Sequence, residues 1–319
     1  MLDYPIKFEP ILQDKIWGGK KLQNLLNKET DLDNIGESWE ISGVNSNISI
    51  VSNGYLKGKS LIDLIANYKG QFVGEKVYRR FGNNFPLLIK FIDAKEDLSV
   101  QLHPNDELAK ERHDSFGKTE MWVVMQADEE ANLIVDFNRK VSKEEYSNYL
   151  SQGKITEILN FENVNAGDSF FISEGIIHAI GAGVLLAEIQ QTSDITYRVY
   201  DWDRVDKEGN SRELHTELAL DALNFERKDD FRKDYNRNRE SNIAKCQYFT
   251  TNFLPVSGRA IRVLKEIDSF KIFICLKGAG TVAVRDKIES FEMGETFLIP
   301  ACTEQIVLDG NTELLEVYV

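Results

Sequence analysis

Two stretches of the 319-residue chain can be laid over one another: GDSFFISEGIIH, Gly167 to His178, and GETFLIPACTEQ, Gly294 to Gln305. Each opens on a glycine, followed by an acidic residue, a small hydroxyl residue and three apolar residues. Each then closes at the same distance from its glycine, on His178 in the first and Gln305 in the second. A repeat of this kind redefines the fold. It implies two tandem jelly-roll barrels, unless two strand–turn–strand units resemble each other by chance.

The surrounding sequence agrees with that reading. Short runs rich in β-branched and aromatic residues, bounded by turn residues, predict strands at Gly36–Gly43, Asn47–Gly54, Pro86–Ala94 and Leu98–Pro104. TEMWVVMQA and ANLIVDF are expected to pair across the turn at Asp128–Glu130. The last 75 or so residues read as further short strands, AIRVLKEI, FKIFICLKG, GTVAVRD, ETFLIP and ELLEVYV. A few peripheral helices are expected. One follows Ser60, one follows Ser142 with a capping-box pattern to Glu145, and a charged one begins near Arg212. No βαβ alternation occurs, so a doubly wound parallel sheet is not expected. The charged, apolar-poor segment 226–242 marks a connector, dividing the chain into residues 1–240 and residues 241–319.

Composition narrows the function. Asp and Glu number 52 against 38 Lys and Arg, for a net charge of −14, which disfavours nucleic acid and anionic membranes as partners. The longest mostly apolar stretch, 176–189, is too short to span a bilayer, and the N-terminus carries no apolar signal core. Three widely spaced cysteines without a CxxC fit a reducing compartment, so a cytoplasmic protein is expected.

The Gly167–His178 segment resembles the second motif of the cupin superfamily, whose closing His binds metal. His178 stands at that ligand position. Gln305 replaces it in the second copy, which is therefore expected to be a metal-free structural barrel. VQLHPND places Gln101 and His103 two residues apart, hence on one side of a strand. Glu120 opens another apolar strand. Gln101, His103, Glu120 and His178 together are a candidate divalent site, although each alone reads equally as a structural residue, a lone His being more often hydrogen-bonded than a ligand. Two His and a Glu suit zinc with positions left for substrate, and iron or manganese accept the same donors. The remaining histidines read as bystanders, His113 solvated and His215 a packing or cap residue.

PLLIKFIDAKEDLSVQLHPND followed by FGKTEMWVV, EGIIHAI and EIQQTSDITYRVYD is similar to the signature region of type I phosphomannose isomerases. The resemblance covers most of the chain, from KIWGGKKL into the second barrel. It implies one Zn2+ per chain on Gln101, His103, Glu120 and His178, and an active-site Arg198 four residues after Asp194. Larger members of that family have Pro where this chain has Thr119, carry a long helical insertion, and continue RAGLTPK where this chain reads RVYDWDR. The chain therefore resembles the short bacterial form.

The reaction implied interconverts mannose 6-phosphate and fructose 6-phosphate. A ligand set with one carboxylate leaves the ion net positive, which suits an anionic sugar phosphate. Lys118 shares parity with Glu120 and is expected to face the cavity, to neutralise phosphate or transfer a proton. Glu188, inside the apolar strand GVLLAEIQQ, must be paired or functional, because an unpaired carboxylate there is costly. Arg198 is expected to bind phosphate, stabilise the enediolate or assist proton transfer, or else to form a salt bridge with Asp194 or Asp201. Trp17 walls the sugar pocket or packs the core. Two other classes of function fit parts of this pattern: a different cupin metalloenzyme, such as a non-haem iron oxygenase, and a non-catalytic sugar-binding cupin. Gln101 and the Lys–Thr–Glu context argue against the former, and the ionisable cluster argues against the latter. A monomer or homodimer is expected.

Overall fold

Runs such as LLIKFIDA and VLLAEIQQ are apolar on both faces, so each must sit in a sheet covered on both sides. The computed structural model describes residues 2–206 and 208–319. The strands before the charged connector are β1 (Ile11–Gly19), β2 (Ile35–Ile41), β3 (Gly43–Val44), β4 (Asn47–Ile48), β5 (Leu87–Ala94), β6 (Val100–Leu102), β7 (Glu120–Ala127), β8 (Asn132–Phe137), β9 (Leu159–Asn163), β10 (Ser169–Ile172), β11 (His178–Ile180), β12 (Val184–Gln191) and β13 (Tyr197–Tyr200). After it come β14 (Ser241–Lys245), β15 (Thr250–Val263), β16 (Lys271–Val284), β17 (Lys287–Glu292), β18 (Thr296–Ile299) and β19 (Gln305–Tyr318). The helices are α1 (Lys21–Leu26), α2 (Leu61–Tyr68), α3 (Gly70–Val73), α4 (Glu75–Phe81), α5 (Asp106–His113), α6 (Lys143–Ser151) and α7 (Thr216–Ala222).

The chain is mainly β, with the cupin architecture. One sheet runs β1-β2-β5-β12-β7-β10 and a second runs β13-β6-β11-β8-β9. Trp122, Val124 and Leu186 from the first meet Leu133, Val135 and Ile180 from the second in one apolar layer between them. The last sheet runs β14-β15-β19-β16-β17, with β18 also on β16. Its order β14-β15-β19-β16-β18 repeats β2-β5-β12-β7-β10, and its order β15-β19-β16-β17 repeats β6-β11-β8-β9. The second half thus has the same wiring, drawn with strands long enough to bend from one sheet to the other. The sheets do not close into barrels.

The repeated sequence occupies repeated geometry. Gly167 and Gly294 both hold positive φ, 96° and 85°, where a side chain would be strained. A four-residue strand begins two residues later in each copy, at Ser169 and Thr296. The following strand begins at His178 in one and Gln305 in the other. The side chains differ in direction, however. His178 is buried with Ile180, whereas Gln305 is exposed and its neighbour Ile306 enters the core.

Several expectations are corrected. TEMWVVMQA and ANLIVDF do not pair, since β7 lies between β12 and β10 while β8 lies between β11 and β9. A hairpin in sequence is here a crossing from one sheet to the other. The short C-terminal strands expected at AIRVLKEI, FKIFICLKG and GTVAVRD are parts of the 14-residue strands β15 and β16, because Gly258 and Gly278, at positive φ, let the strands bend without ending. Asn47–Gly54 forms only the two-residue strand β4 and isolated bridges. Ser142 caps α6 by accepting from Glu145 N, but its hydroxyl turns to Glu144, so the reciprocal half of the capping box is missing. The complete box is at Ser60 and Asp63, ahead of α2.

The largest apolar cluster joins the two halves. Ile41, Leu87, Phe91 and Ile189 from the first sheet pack with Phe72 and Val77 from the helices, and with Phe253, Ile272 and Val317 from the last sheet. At roughly 25 cal/mol per Å² of apolar surface removed from water, contacts of this kind make separation of the halves unfavourable.

Candidate functional site

The two facing sheets each contribute a row of side chains to one cavity of about 320 Å³, a size within the range of small-molecule sites. From the second sheet, His178 on β11 lies directly opposite Gln101 on β6, and Gln101 lies opposite Arg198 on β13. Directly opposed residues share a face. The three therefore form a row, with Arg198 two strand spacings, about 10 Å, from His178. From the first sheet come Trp39 on β2, Lys90 on β5, Glu188 on β12 and Trp122 on β7, each opposite the next.

His103, Glu120 and His178 converge at the buried end. Their ligand atoms lie within 4.8 Å of one another, and all three residues are fully buried. Glu120 is 3.5 Å from His103 Nε2 and 3.3 Å from His178 Nε2. Each imidazole makes a 2.8 Å hydrogen bond through Nδ1 to a backbone carbonyl, of Ile195 and Ile176 respectively. A carbonyl only accepts, so Nδ1 carries the proton and Nε2 presents a lone pair. Among the described residues neither Nε2 nor Glu120 Oε1 has a hydrogen-bond partner. Buried polar atoms converging on one point without hydrogen-bond partners fit a cation. Burial pushes His178 down to about 4 and His103 well below the usual imidazole value, keeping both in the neutral form that binds metal. Burial raises Glu120 to about 7, with Lys118, whose Nζ lies 3.0 Å from its Oε2, acting in the opposite direction. Gln101 lines the same cavity, its Oε1 3.3 Å from Ser99 Oγ.

A chain of charges crosses the first sheet beside this cluster. Lys90 Nζ is 3.3 Å from Glu188 and 3.8 Å from Glu37, and Lys15 is 3.6 Å from Glu37. Trp122 Nε1 donates to Glu188 and Trp39 Nε1 to Glu37, at 3.0 and 2.7 Å. Burial, the largest single influence, works to raise both carboxyls, but the lowering influences together exceed it, Lys90 first at each, then Lys118 at Glu188 and Lys15 at Glu37. Glu188 stays below its ordinary value and Glu37 falls to about 2. Glu188 is therefore both ion-paired and exposed to the cavity, so the two readings of it coincide.

At the other end, Arg198 Nη1 donates to the Glu213 carbonyl at 2.8 Å, and its Nε has no partner. Among the described residues it forms no ion pair, so the alternative of a salt bridge with Asp194 or Asp201 is set aside. Asp201 is instead held by Arg212, at 2.7 and 2.5 Å, and by Arg204 at 2.8 Å. Burial and the neighbouring Arg212 lower the pKa of Arg198. Asp194 sits exposed at the rim, and Trp17 lines the wall while belonging to the apolar layer.

His113 is not simply solvated, since its Nε2 is 2.9 Å from Tyr197 Oη. His215 precedes α7 without capping it. Its Nδ1 instead accepts from Arg198 N, and its own N–H donates to Arg198 O, at 3.1 and 2.7 Å. The sequence reading missed Lys15, Glu37, Trp39, Lys90 and Arg212 in the cavity wall. For Lys90 a signal existed, a charge within the apolar run LLIKFI, the same signal that singled out Glu188.

Comparison with known proteins bears on this geometry. The sequence profile of the phosphomannose isomerase type I catalytic domain matches residues 6–145, and that of the mannose-6-phosphate isomerase cupin domain matches residues 239–319. The chain is 32% identical to the putative mannose-6-phosphate isomerase YvyI of Bacillus subtilis (strain 168), over 99% of both chains. It is equally similar, at 32% and the same coverage, to the mannose-6-phosphate isomerase ManA of that organism. The crystal structure of the mannose 6-phosphate isomerase from Bacillus subtilis superimposes with a TM-score of 0.90 at 31% identity, covering 99% of this chain and 100% of the other.

Proposed function

Because the chain belongs to the type I phosphomannose isomerase family, we propose that it interconverts mannose 6-phosphate and fructose 6-phosphate, moving a proton between C2 and C1 through a cis-enediolate. The observation that carries the reading is the row His178–Gln101–Arg198. It supports a cation site at one end of a cavity, with an arginine about 10 Å away that among the described residues pairs with no carboxylate.

Gln101, His103, Glu120 and His178 are the residues assigned to one divalent ion, Zn2+ in this reading because two imidazoles and a carboxylate with open positions suit it. When bound, the ion supplies Lewis-acid stabilisation of charge developing on oxygen. The chain's own groups do the rest. Lys118, paired with Glu120, places an ammonium beside the reacting oxygens. Glu188, held as a carboxylate by Lys90, offers Oε1 as an acceptor without a hydrogen-bond partner. Arg198 balances charge on the enediolate, with Asp194 at the rim and Trp17 as the apolar wall against the sugar.

The same reading includes a boundary between a catalytic unit, residues 1–240, and a metal-free unit, residues 241–319. It also includes a monomer or homodimer located in the cytoplasm. The support for that location is chemical: all three cysteines are unpaired. No helix of the described residues is long and apolar enough to cross a membrane. A coupled assay on mannose 6-phosphate, before and after chelation, tests the activity. No turnover by metal-loaded protein would overturn it.

A further inference from the structure

The segments that carry the cavity residues are fastened together behind the cavity by one carboxylate. Asp106, in the first turn of α5, accepts at Oδ1 from Gly117 N and from Gln191 Nε2, both at 2.9 Å. At Oδ2 it accepts from Tyr248 Oη, also at 2.9 Å. Each donor belongs to a different part of the molecule. Gly117 leads directly into Lys118 and Glu120. Gln191 ends the strand that carries Glu188. Asp106 itself follows Gln101 and His103 by a few residues, in the same VQLHPND stretch. Tyr248 comes from the turn between β14 and β15, in the last sheet.

The fastening is close. A Cβ on Gly117 would lie 2.6 Å from Asp106 N and 3.0 Å from Pro104 O, so the two backbones meet where only glycine fits. Lys118 N donates to Pro104 O at 3.2 Å. Thr119, whose side chain points away from the cavity, donates its N–H to Gln191 Oε1 at 2.9 Å, and its hydroxyl bonds Glu174. Gly175, next to Glu174, donates to His103 O at 2.9 Å. Lys118 and Glu120 face one way and Thr119 the other, so fixing Thr119 and Gly117 fixes the aim of both charged side chains.

We propose that Asp106 is a positioning residue of the site, holding the Gln101–His103 and Lys118–Glu120 segments in register, and that Tyr248 ties the last sheet to this task. The proposal rests on the site reading above. It gives the second half of the chain, whose own copy of the motif ends in an outward-facing Gln305, a part in the function of the first. Asp106 touches no reacting group. Its effect passes through Gly117 and Gln191.

The test uses the full-length protein and the variants Asp106→Ala, Asp106→Asn, Gln191→Met and Tyr248→Phe. Two quantities are read on folded protein: the affinity for Co2+ or Zn2+ in competition with a chromophoric chelator, and kcat with KM on mannose 6-phosphate. Loss of an oriented supporting group typically costs ~10–100-fold in metal affinity or activity. The expected result is a fall in that range for Asp106→Ala, seen in metal affinity and in kcat with KM little changed. Asp106→Asn, which keeps one carbonyl acceptor, should be intermediate, and Tyr248→Phe should move the same way by less. A purely structural role would lower Tm and leave affinity and kcat of the folded fraction unaltered. That outcome, in Asp106→Ala and Tyr248→Phe alike, overturns the proposal. If Asp106→Ala does not fold, Asp106→Asn and Gln191→Met decide by the same criteria. If the parent protein holds metal but does not turn over mannose 6-phosphate, the functional reading fails and the metal affinities still decide the role of Asp106.

Discussion

Glu120 and Lys271 occupy the same place in the two halves of the molecule. Each is the first residue of its strand, and each lies opposite the last residue of the four-residue strand that follows the repeated glycine, Ile172 in one copy and Ile299 in the other. The correspondence extends sideways. Trp39–Lys90–Glu188–Trp122 in the first sheet is matched by Asn242–Asn252–Glu316–Phe273 in the last. Where the first half places a carboxylate beside two imidazoles, the second places an amine. Arg262 fills the space beyond it, bonded to both Glu316 and Glu240.

Replacing Lys271 should therefore stabilise the protein without touching its chemistry. Its Nζ has no hydrogen-bond partner among the described residues, lies over the Tyr318 ring at 4.4 Å, and burial brings it down to about 8. A lysine with a depressed pKa is protonated more readily in the unfolded chain, so its penalty is full below pH 8 and fades as pH rises towards the unfolded value near 10.4. Lys271→Met should raise Tm by a few degrees at pH 7, with a smaller gain at pH 9.5. Gln305→Ala, at the exposed position equivalent to His178, should leave Tm nearly unchanged. Both variants should keep metal content and turnover near the parent values. Loss of metal from either, with circular dichroism unchanged, would show that the last sheet takes part in binding.

The metal site predicts one divalent ion per chain, lost on chelation with turnover while the fold persists. The apolar layers that hold the strands are built from many side chains besides the ligands, of which His178 packs edge-on against Trp122, so the fold has its own support. The His103→Ala, His178→Ala double variant should bind no ion in a metal analysis after dialysis. Stoichiometric retention would remove these residues from the site.

How far the sequence carried this picture can be judged from particular residues. His103 and His178 were legible because each sits at a strand end in a spaced motif, and Lys118 because strand parity put it beside Glu120. The pairing of β7 was not legible. A turn at Asp128–Glu130 reads as a hairpin whether the chain folds back in the same sheet or crosses to the facing one, and only the packing of Trp122 and Val124 against Leu133 and Val135 selects the latter. Lys90 and Glu37 escaped for a related reason. Their ionic partners lie on other strands, and the charge chain exists only after β2, β5 and β12 are laid side by side. Likewise Asp106 lies in the quoted VQLHPND motif, but its partners Gln191 and Tyr248 are distant in sequence.

The pH dependence of metal uptake follows from Glu120. In the metal-free protein burial raises its carboxyl to about 7, while both imidazoles stay neutral well below that pH. Between pH 5 and 7 binding must therefore displace roughly one proton per ion, and affinity should rise with pH and level off above 7. The sign for folding is the reverse. Native apo-protein keeps a proton on Glu120 that the unfolded chain has released, so this group's contribution to stability is lost as pH rises through 7. Glu120→Gln should abolish metal binding and yet raise the apo-protein's Tm at pH 8, with little change at pH 4.5. A lower Tm for Glu120→Gln at pH 8 would mean that Lys118 stabilises the ionised carboxyl more than burial penalises it.

Arg198 decides how the two ends of the cavity divide the work. It lies opposite Gln101, its main chain is locked to His215 in both directions, and among the described residues its guanidinium has a carbonyl partner but no carboxylate. Asp201 is bonded to Arg204 and Arg212, so among the described residues no carboxylate forms an ion pair with Arg198, although Asp201 and Glu213 act on its charge from a distance. If that charge acts on the developing enediolate, Arg198→Ala should lower kcat far more than it raises KM, because an interaction made only in the transition state is read in kcat. Loss of one oriented charge from a site closed to water is worth about 10²-fold or more in rate. If Arg198 holds phosphate equally in ground and transition states, the effect should fall in KM. Lys118 remains as a cation at the metal end in either case, so residual binding is expected. Steady-state kinetics of Arg198→Ala on mannose 6-phosphate, with solvent-deuterium incorporation to confirm proton transfer, separates the two. A kcat equal to the parent's, with the whole loss in KM, would make Arg198 a phosphate anchor and leave the enediolate to Lys118 and the bound ion.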